Sequence, residues 1–132
     1  MLIELDTHSG VPIYVQLIDQ VKRLILAGHL QEGEQIELVR SLAARLKVNP
    51  MTVSKAYSLL ERDGLLERRR GVGLFVGRLR KDLQHRLKTR TVEDAFQKAA
   101  GAAIQMGFSE EEALDLLRQN YQSLHSNMKK EG

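Results

Sequence analysis

Three short amphipathic segments followed at once by a hairpin signal are the feature that most constrains the fold of this chain. The first segment has apolar residues at three- and four-residue steps, with Pro12 in its first turn and Gly28 just past its last. Proline at the start and glycine at the end are typical of helix boundaries, so a helix is predicted over residues 11–27. A second, shorter helix is predicted over Leu38–Leu46, ending at the bend that Lys47 begins.

The third segment carries the clearest start signal. Asn49 is a good N-cap and Pro50 a good first helical residue, and an apolar stripe continues to a stop at Asp63-Gly64. Residues 65–69 and 74–76 are then short strand-like runs, separated by glycines that permit the positive φ values of a tight loop. Three helices and a basic hairpin predict a winged helix-turn-helix, in a mainly α fold with a small β-hairpin (α+β).

The remainder of the chain is predicted to be helical. Its apolar stripe changes phase around residues 89–91, which predicts a kink or a break there, with Thr91 in a new N-terminal cap. Gly107 ends this run, and Ser109 with Glu112 three residues on forms a capping box that begins the last helix.

The tail is predicted to be a dimerisation element. Its small residues allow close helix approach, and two short helices cannot bury its larger apolar side chains alone, whereas a symmetric dimer can. Packing onto the winged helix of the same protomer is the alternative. The predicted domains are a winged helix-turn-helix domain at 1–77, a two-helix dimerisation region at 78–126 and a frayed tail at 127–132. The predicted dimer interface is Leu83, Leu87, Phe96, Ala99, Ala103, Met106, Leu117 and Tyr121.

Charge distribution indicates the class of partner. Between residues 40 and 90 there are 14 basic and 4 acidic residues, a net charge of +10, which leaves −7 for the rest of a chain whose total is +3. A basic middle between acidic flanks favours a polyanion-binding surface, with solvated helix faces as the alternative. The chain has no cysteine, which suits a reducing compartment and predicts a cytoplasmic protein. No apolar run is long enough for a membrane span, so no membrane partner is expected.

The outward face of the predicted third helix suits double-stranded DNA. In a helix-turn-helix, the second helix of the motif lies in the major groove with its N-terminal residues against base edges. Lys55 can pair with guanine acceptors or a phosphate, and Thr52 and Ser54 with phosphate or base. Met51 and Pro50 can meet a thymine methyl group.

The hairpin places Arg68-Arg69-Arg70-Gly71 at its tip. Such a tip can approach the sugar-phosphate backbone and insert an arginine into a narrow minor groove, where the negative potential is enhanced. A basic hairpin kept soluble by its charge is the alternative.

Several motifs resemble, in order and spacing, the N-terminal domain of GntR-family bacterial transcription regulators. They are Pro12-Ile13-Tyr14, Val39-Arg40, Leu42-Ala43, Val48-Asn49-Pro50-Met51-Thr52-Val53, Lys55-Ala56-Tyr57, Leu60-Glu61-Arg62-Asp63-Gly64-Leu65 and Arg69-Arg70-Gly71-Val72-Gly73-Leu74-Phe75-Val76. The short tail resembles the YtrA-type branch. The resemblance implies a sequence-specific transcription repressor that binds a palindromic operator as a homodimer. It also implies that Arg40 reads a base, that residues 49–52 and Ser54 contact DNA, and that Arg70-Gly71 forms the wing tip.

The sequence departs from that family's pattern at the second helix and at the turn after it. Glu37, Leu38 and Ser41 replace a capping box, which predicts a weaker helix start and places Glu37 unfavourably near phosphate. Lys47 stands where the family favours glycine, and at positive φ it would be strained yet able to reach a phosphate. The predicted DNA-binding residues are Arg40, Lys47, Asn49, Pro50, Met51, Thr52, Ser54, Lys55, Arg69, Arg70 and Gly71.

An enzyme is not expected. The histidines at positions 8, 29, 85 and 125 are scattered and form no metal-ligand pair, so neither a metal nor a cofactor is predicted. Gly71-Val72-Gly73 precedes a strand and not a helix, which argues against a phosphate loop. A small-molecule effector of unknown identity is left open, because no residue set demands one. The alternative function is a winged-helix module that binds protein or RNA without operator specificity.

Overall fold

The computed structural model describes residues 1–131, which form five helices and one antiparallel hairpin. This confirms the predicted mainly α fold with a small β component. The chain divides into two units, Met1–Lys88 and a second that begins at Thr89. The elements in order are α1 (Ile13–Leu26), α2 (Val39–Leu46), α3 (Pro50–Arg62), β1 (Leu66–Arg69), β2 (Gly73–Val76), α4 (Lys81–Gln105) and α5 (Glu110–Glu131).

In the first unit, α1, α2, α3 and the hairpin share one apolar core. Each element contributes the residues that its periodicity places on one face, among them Leu17, Leu42, Tyr57 and Leu66. The strands pair with Leu66 opposite Val76, so the hairpin lies with its apolar side on the helices. Burial of each such side chain contributes about 1.5–3 kcal/mol, which fixes the positions of α2, α3 and the hairpin.

An extended segment at residues 1–6 lies along α1, with Ile3 in the core. Gln16 accepts a hydrogen bond from the Asp6 N–H (2.9 Å) and donates one to the Asp6 carbonyl (2.8 Å). Gln20 makes the same pair of bonds with Glu4. Four helical residues rise about 6.0 Å and two extended residues about 6.6 Å, so glutamines four apart on α1 reach residues two apart in the extended segment. Sequence reasoning missed this attachment.

A helix break at residues 89–91 is wrong, because α4 runs without interruption from Lys81 to Gln105. The segment holds no proline, and its one glycine is Gly101, so no residue near the expected break removes a backbone hydrogen bond. The change of phase in the apolar stripe instead coincides with the boundary between the two units, which falls after Lys88.

The predicted capping box at the start of α5 is confirmed. The Glu112 N–H donates to the Ser109 Oγ (3.1 Å), and the Ser109 N–H donates to the Glu112 Oε1 (2.9 Å). The helix continues to Glu131, so residues 127–131 of the predicted frayed tail are helical in the structure. No glycine or proline interrupts this segment, and two lysines in its last turn suit the negative end of the helix dipole. Gly132, the last residue of the predicted frayed tail, lies outside the described residues.

The second unit presents its apolar residues to solvent. Between Thr89 and Lys130, where burial is described, no side chain is buried. Ile104 is 75% exposed and Tyr121 67% exposed, both of them far above the values of core residues. None of the helices described within residues 1–131 combines the length and the apolar character needed to cross a bilayer.

Candidate nucleic-acid interface

The turn between α2 and α3 depends on Lys47. It ends α2 in the left-handed conformation (φ 58°, ψ 46°), as the comparison with a glycine position predicts. The Lys47 N–H donates to the Ala44 carbonyl (3.3 Å), and the Val48 N–H to the Ala43 carbonyl (3.0 Å). A side chain in this conformation costs about 1–2 kcal/mol, and Lys47 projects as an exposed cation beside the start of α3.

The start of α3 follows the predicted cap. The Asn49 Oδ1 accepts the N–H of Met51 (2.8 Å), and Pro50 occupies the first helical position. Since the Asn49 oxygen is engaged in the cap, DNA would meet the amide donors of this side chain. Met51 is 77% exposed in the first turn, an unusual position for a methionine and a suitable one for an apolar contact to a base.

The next residues of α3 turn toward different neighbours. Val53, Ala56 and Tyr57 are buried, as the predicted stripe requires, while Thr52 is half-buried. Ser54 is exposed on the side of α2 and the hairpin. Lys55 is also exposed and lies on the side of α1, where its ammonium contacts the ring of Tyr14.

A groove of about 310 Å³ lies between the start of α2, α3 and the hairpin. Arg40, Ser54 and Arg68 line it together, so one concave surface carries two guanidinium groups and a hydroxyl. At its base, the Tyr57 hydroxyl donates to the Glu37 carbonyl (2.8 Å). Burial, reinforced by the Glu37 carboxylate, raises the pKa of Tyr57 above its usual range, so the hydroxyl keeps its proton and remains the donor of this hydrogen bond.

Glu37 does not stand as an unpaired anion near the DNA-facing surface. Its carboxylate forms an ion pair with Arg45 (3.2 Å), and the Arg45 Nη2 also donates to the Met1 carbonyl (2.8 Å). Among the described residues, no side chain caps α2 at Leu38, which agrees with the predicted loss of the capping box. Tyr57 and Arg45 therefore fix the residues before α2 through their bonds to Glu37 and Met1.

The hairpin directs its arginines differently. Arg68 pairs with Glu61 of α3 (3.1 Å), whereas the Arg69 guanidinium lies 4.0 Å from the centroid of the Phe75 ring. Neighbouring residues of a strand point to opposite faces, so Arg68 shares the groove face and Arg69 does not. Arg70 and Gly71 form the tip, with Gly71 at φ +78°.

Sequence reasoning left Arg68 out of the predicted DNA-binding set. Arg68 lines the groove, and its spacing of two from the buried Leu66, which places both residues on one face of β1, could have indicated that position. The predicted DNA-binding residues lie on α2, the turn, α3 and the hairpin, in the first unit. Whether each one contacts DNA stays a prediction.

The predicted dimer residues fall into two groups. Leu83 and Leu87 are half-buried on the part of α4 that belongs to the first unit. In the second unit Ala103 is half-buried, and the exposed residues are Phe96, Ala99, Met106, Leu117 and Tyr121. The structure describes one chain, so the dimer interface stays a prediction.

Comparisons with known proteins agree with the geometry. The sequence model described as "Bacterial regulatory proteins, gntR family" matches residues 13–76. The HTH-type transcriptional repressor YtrA of Bacillus subtilis is 45% identical over 75 residues, which are 57% of this chain and 58% of YtrA. The uncharacterized HTH-type transcriptional regulator YhcF of Bacillus subtilis is 32% identical over 108 residues, which are 82% of this chain and 88% of YhcF.

One solved structure is similar over most of the chain. It is a transcriptional antiterminator from Listeria monocytogenes EGD-e, with 32% identity and a TM-score of 0.71, covering 93% of this chain and 92% of that one. The similarity to YhcF and to this structure includes the helical tail, whereas the similarity to YtrA covers little more than half of each protein.

Proposed function

The chain belongs to the GntR family of bacterial regulatory proteins, and on that premise we propose that it is a repressor that binds a palindromic operator as a homodimer. It is a DNA-binding transcription regulator. Membership in a family of regulatory proteins agrees with the expectation that it is not an enzyme. The observation that carries the proposal is α3, whose exposed face is bordered by the groove cations on one side and Lys55 on the other.

In the proposed complex, α3 enters the major groove. Met51 and Ser54 lie on its exposed face and face base edges, while Arg40 reads a base from the adjoining end of α2. The tip at Arg70-Gly71 follows the neighbouring backbone into the minor groove. We assign this role to residues 1–77 and dimerisation to residues 78–126.

A second copy of this chain is the proposed occupant of the apolar tail. A monomer rarely exposes a large contiguous apolar surface, and here an entire unit has none of its described side chains buried. Since a two-fold dimer presents two recognition helices to two half-sites, the same contact accounts for the tail and for a palindromic operator. The exposed large apolar residues are Val92, Phe96, Ile104, Met106, Phe108, Leu114, Leu116, Leu117, Tyr121, Leu124 and Met128.

Selection of bound duplexes from a random DNA library tests the proposal. The expected product is an inverted repeat whose half-sites lie about 10 base pairs apart, or a multiple of that distance. Arg40→Ala should relax base preference at one position in each half-site, whereas Lys98→Ala, which removes an exposed lysine from α4, should leave the selected sequence unchanged. Recovery of unrelated sequences, or of a single half-site, would contradict the proposal.

An RNA-binding role is the second candidate, because the similar Listeria structure is described as a transcriptional antiterminator. The same protein should then bind a structured RNA more tightly than any selected duplex. Competition between the selected duplex and an RNA library, at one salt concentration, distinguishes the two functions. An effector stays a prediction, and a ligand-dependent change in operator affinity would reveal it.

A further inference from the structure

Lys55 makes a contact that its position on the recognition helix does not predict. Its ammonium lies 3.9 Å from the centroid of the Tyr14 ring, in the first turn of α1. Tyr14 is half-buried and packs against the core, whereas Lys55 is exposed. A cation over an aromatic face is attracted by the ring quadrupole, so the packed ring holds the flexible lysine side chain on the side of α1.

The direction of this contact separates Lys55 from Ser54. Successive helical residues are rotated by about 100°, and Ser54 already lies on the side of Arg40 and Arg68. Lys55 therefore lies about 100° around α3 from Ser54, on the side next to α1. A helix lying in the major groove has a sugar-phosphate backbone along each side, so a cation held against α1, away from the exposed face that carries Met51 and Ser54, can meet a phosphate.

We infer that Tyr14 positions Lys55 to bind a backbone phosphate on the α1 side of the recognition helix, so that Lys55 sets affinity and register without reading a base. The inference rests on the proposed DNA-binding function and deepens it. Lys55 is the DNA-contacting group, and Tyr14 is a positioning residue that acts through it. The ring faces one side of the ammonium, which leaves donors on the other side for phosphate oxygens.

A double-mutant cycle tests this assignment. The variants are Lys55→Ala, Tyr14→Leu and their combination, with Tyr14→Phe as the matched control that keeps the ring. Binding of the full-length protein to the selected operator and to a scrambled duplex is measured by fluorescence anisotropy over a range of salt concentrations. The unfolding temperature of each variant shows that the fold is intact.

Lys55→Ala should weaken binding to both duplexes by the same factor and lower the slope of log affinity against log salt by about 0.9 for the one phosphate lost. Tyr14→Leu should weaken both about two- to fivefold, the factor that corresponds to an exposed cation–π contact. The double variant should match Lys55→Ala, and Tyr14→Phe should match the unaltered protein.

Three results would overturn the inference while the proposed function stands. They are a loss with Lys55→Ala confined to the operator, an unchanged salt slope, or a double variant weaker than Lys55→Ala by the full Tyr14→Leu factor. If Tyr14→Leu fails to fold, Lys55→Ala on the two duplexes still decides between phosphate and base. A protein that binds no duplex at all would overturn the proposed function, and this inference with it.

Discussion

The first unit buries 18 apolar side chains among three helices, a hairpin and an extended segment, whereas the second unit buries none of its side chains between Thr89 and Lys130. Both regions are helical and both carry regularly spaced leucines. The contrast shows that an amphipathic pattern specifies a helix and a face to be covered, but not which chain covers it. In the first unit the covering partner is in the same chain, and for the second unit we propose a second copy.

The largest expected effect comes from equal truncations in the two regions. Leu17→Ala removes a fully buried side chain from the core and should lower the free energy of unfolding of the first unit by about 3 kcal/mol. Leu117→Ala, in the exposed tail, should leave that free energy unchanged and weaken self-association. Urea denaturation of both variants, followed by circular dichroism, measures the difference, and equal losses would remove the contrast between the units.

Charges placed in the tail should break the dimer. Phe96→Asp or Leu117→Asp would bury an unpaired carboxylate in the proposed interface, so monomers should predominate. Loss of the second half-site contact should then weaken operator binding by a factor on the order of 10². Gln97→Asp, beside Phe96 on the same helix, is the matched control. Analytical ultracentrifugation and an operator titration give the two readouts, and a variant that stays dimeric would exclude the tail as the interface.

Lys47 should show opposite effects on folding and binding. Lys47→Gly removes a side chain from the left-handed region and should raise the free energy of unfolding by about 1 kcal/mol. It also removes a cation beside α3, so the salt slope of operator binding should fall by about 0.9. Lys47→Ala separates the two effects, because it loses the charge and keeps the strain. Higher affinity in the glycine variant would exclude a phosphate contact.

The smallest effect should appear at the start of α5. Hydrogen bonds from the Ser109 backbone N–H, and secondarily from its side chain, lower the pKa of the Glu112 carboxyl. A lowered pKa in the folded state means that the carboxylate stabilises the cap above its unfolded pKa. This contribution disappears as pH falls through the folded value. Circular dichroism should record a small loss of helicity in that acidic range, and Glu112→Gln, uncharged throughout, should not share it.

Elements with local signals could be predicted from the sequence alone. The Asn49 cap, the glycine-bearing hairpin and the Ser109 capping box each depend on residues within a few positions of one another. The left-handed conformation of Lys47 is predicted only through the resemblance to the family, which favours glycine there. The resemblance to the family then assigned DNA-contacting positions to these elements. The predicted break in α4 failed because a change of apolar phase reports a change of surroundings, not a loss of backbone hydrogen bonds.

The finer construction of the interface could not be predicted, because it joins residues that are distant along the chain. Arg45 meets Glu37 and Met1, and Lys55 meets Tyr14, only after three elements have packed. Side-chain type gives no preference among the many acids and aromatic rings that a cation can reach. The predicted list therefore contains Lys55 without the Tyr14 ring that it contacts, and it omits Arg68, which lines the groove.

The two glutamine attachments along α1 have a consequence for how this protein responds to ionic strength. Amides are uncharged and both donate and accept, so the bonds from Gln16 and Gln20 to the extended segment are little affected by added salt or by protonation. The contacts that hold DNA in our proposal are ionic and weaken steeply under the same conditions. A rise in salt should thus weaken DNA binding while the extended segment stays attached to α1 through these amide bonds.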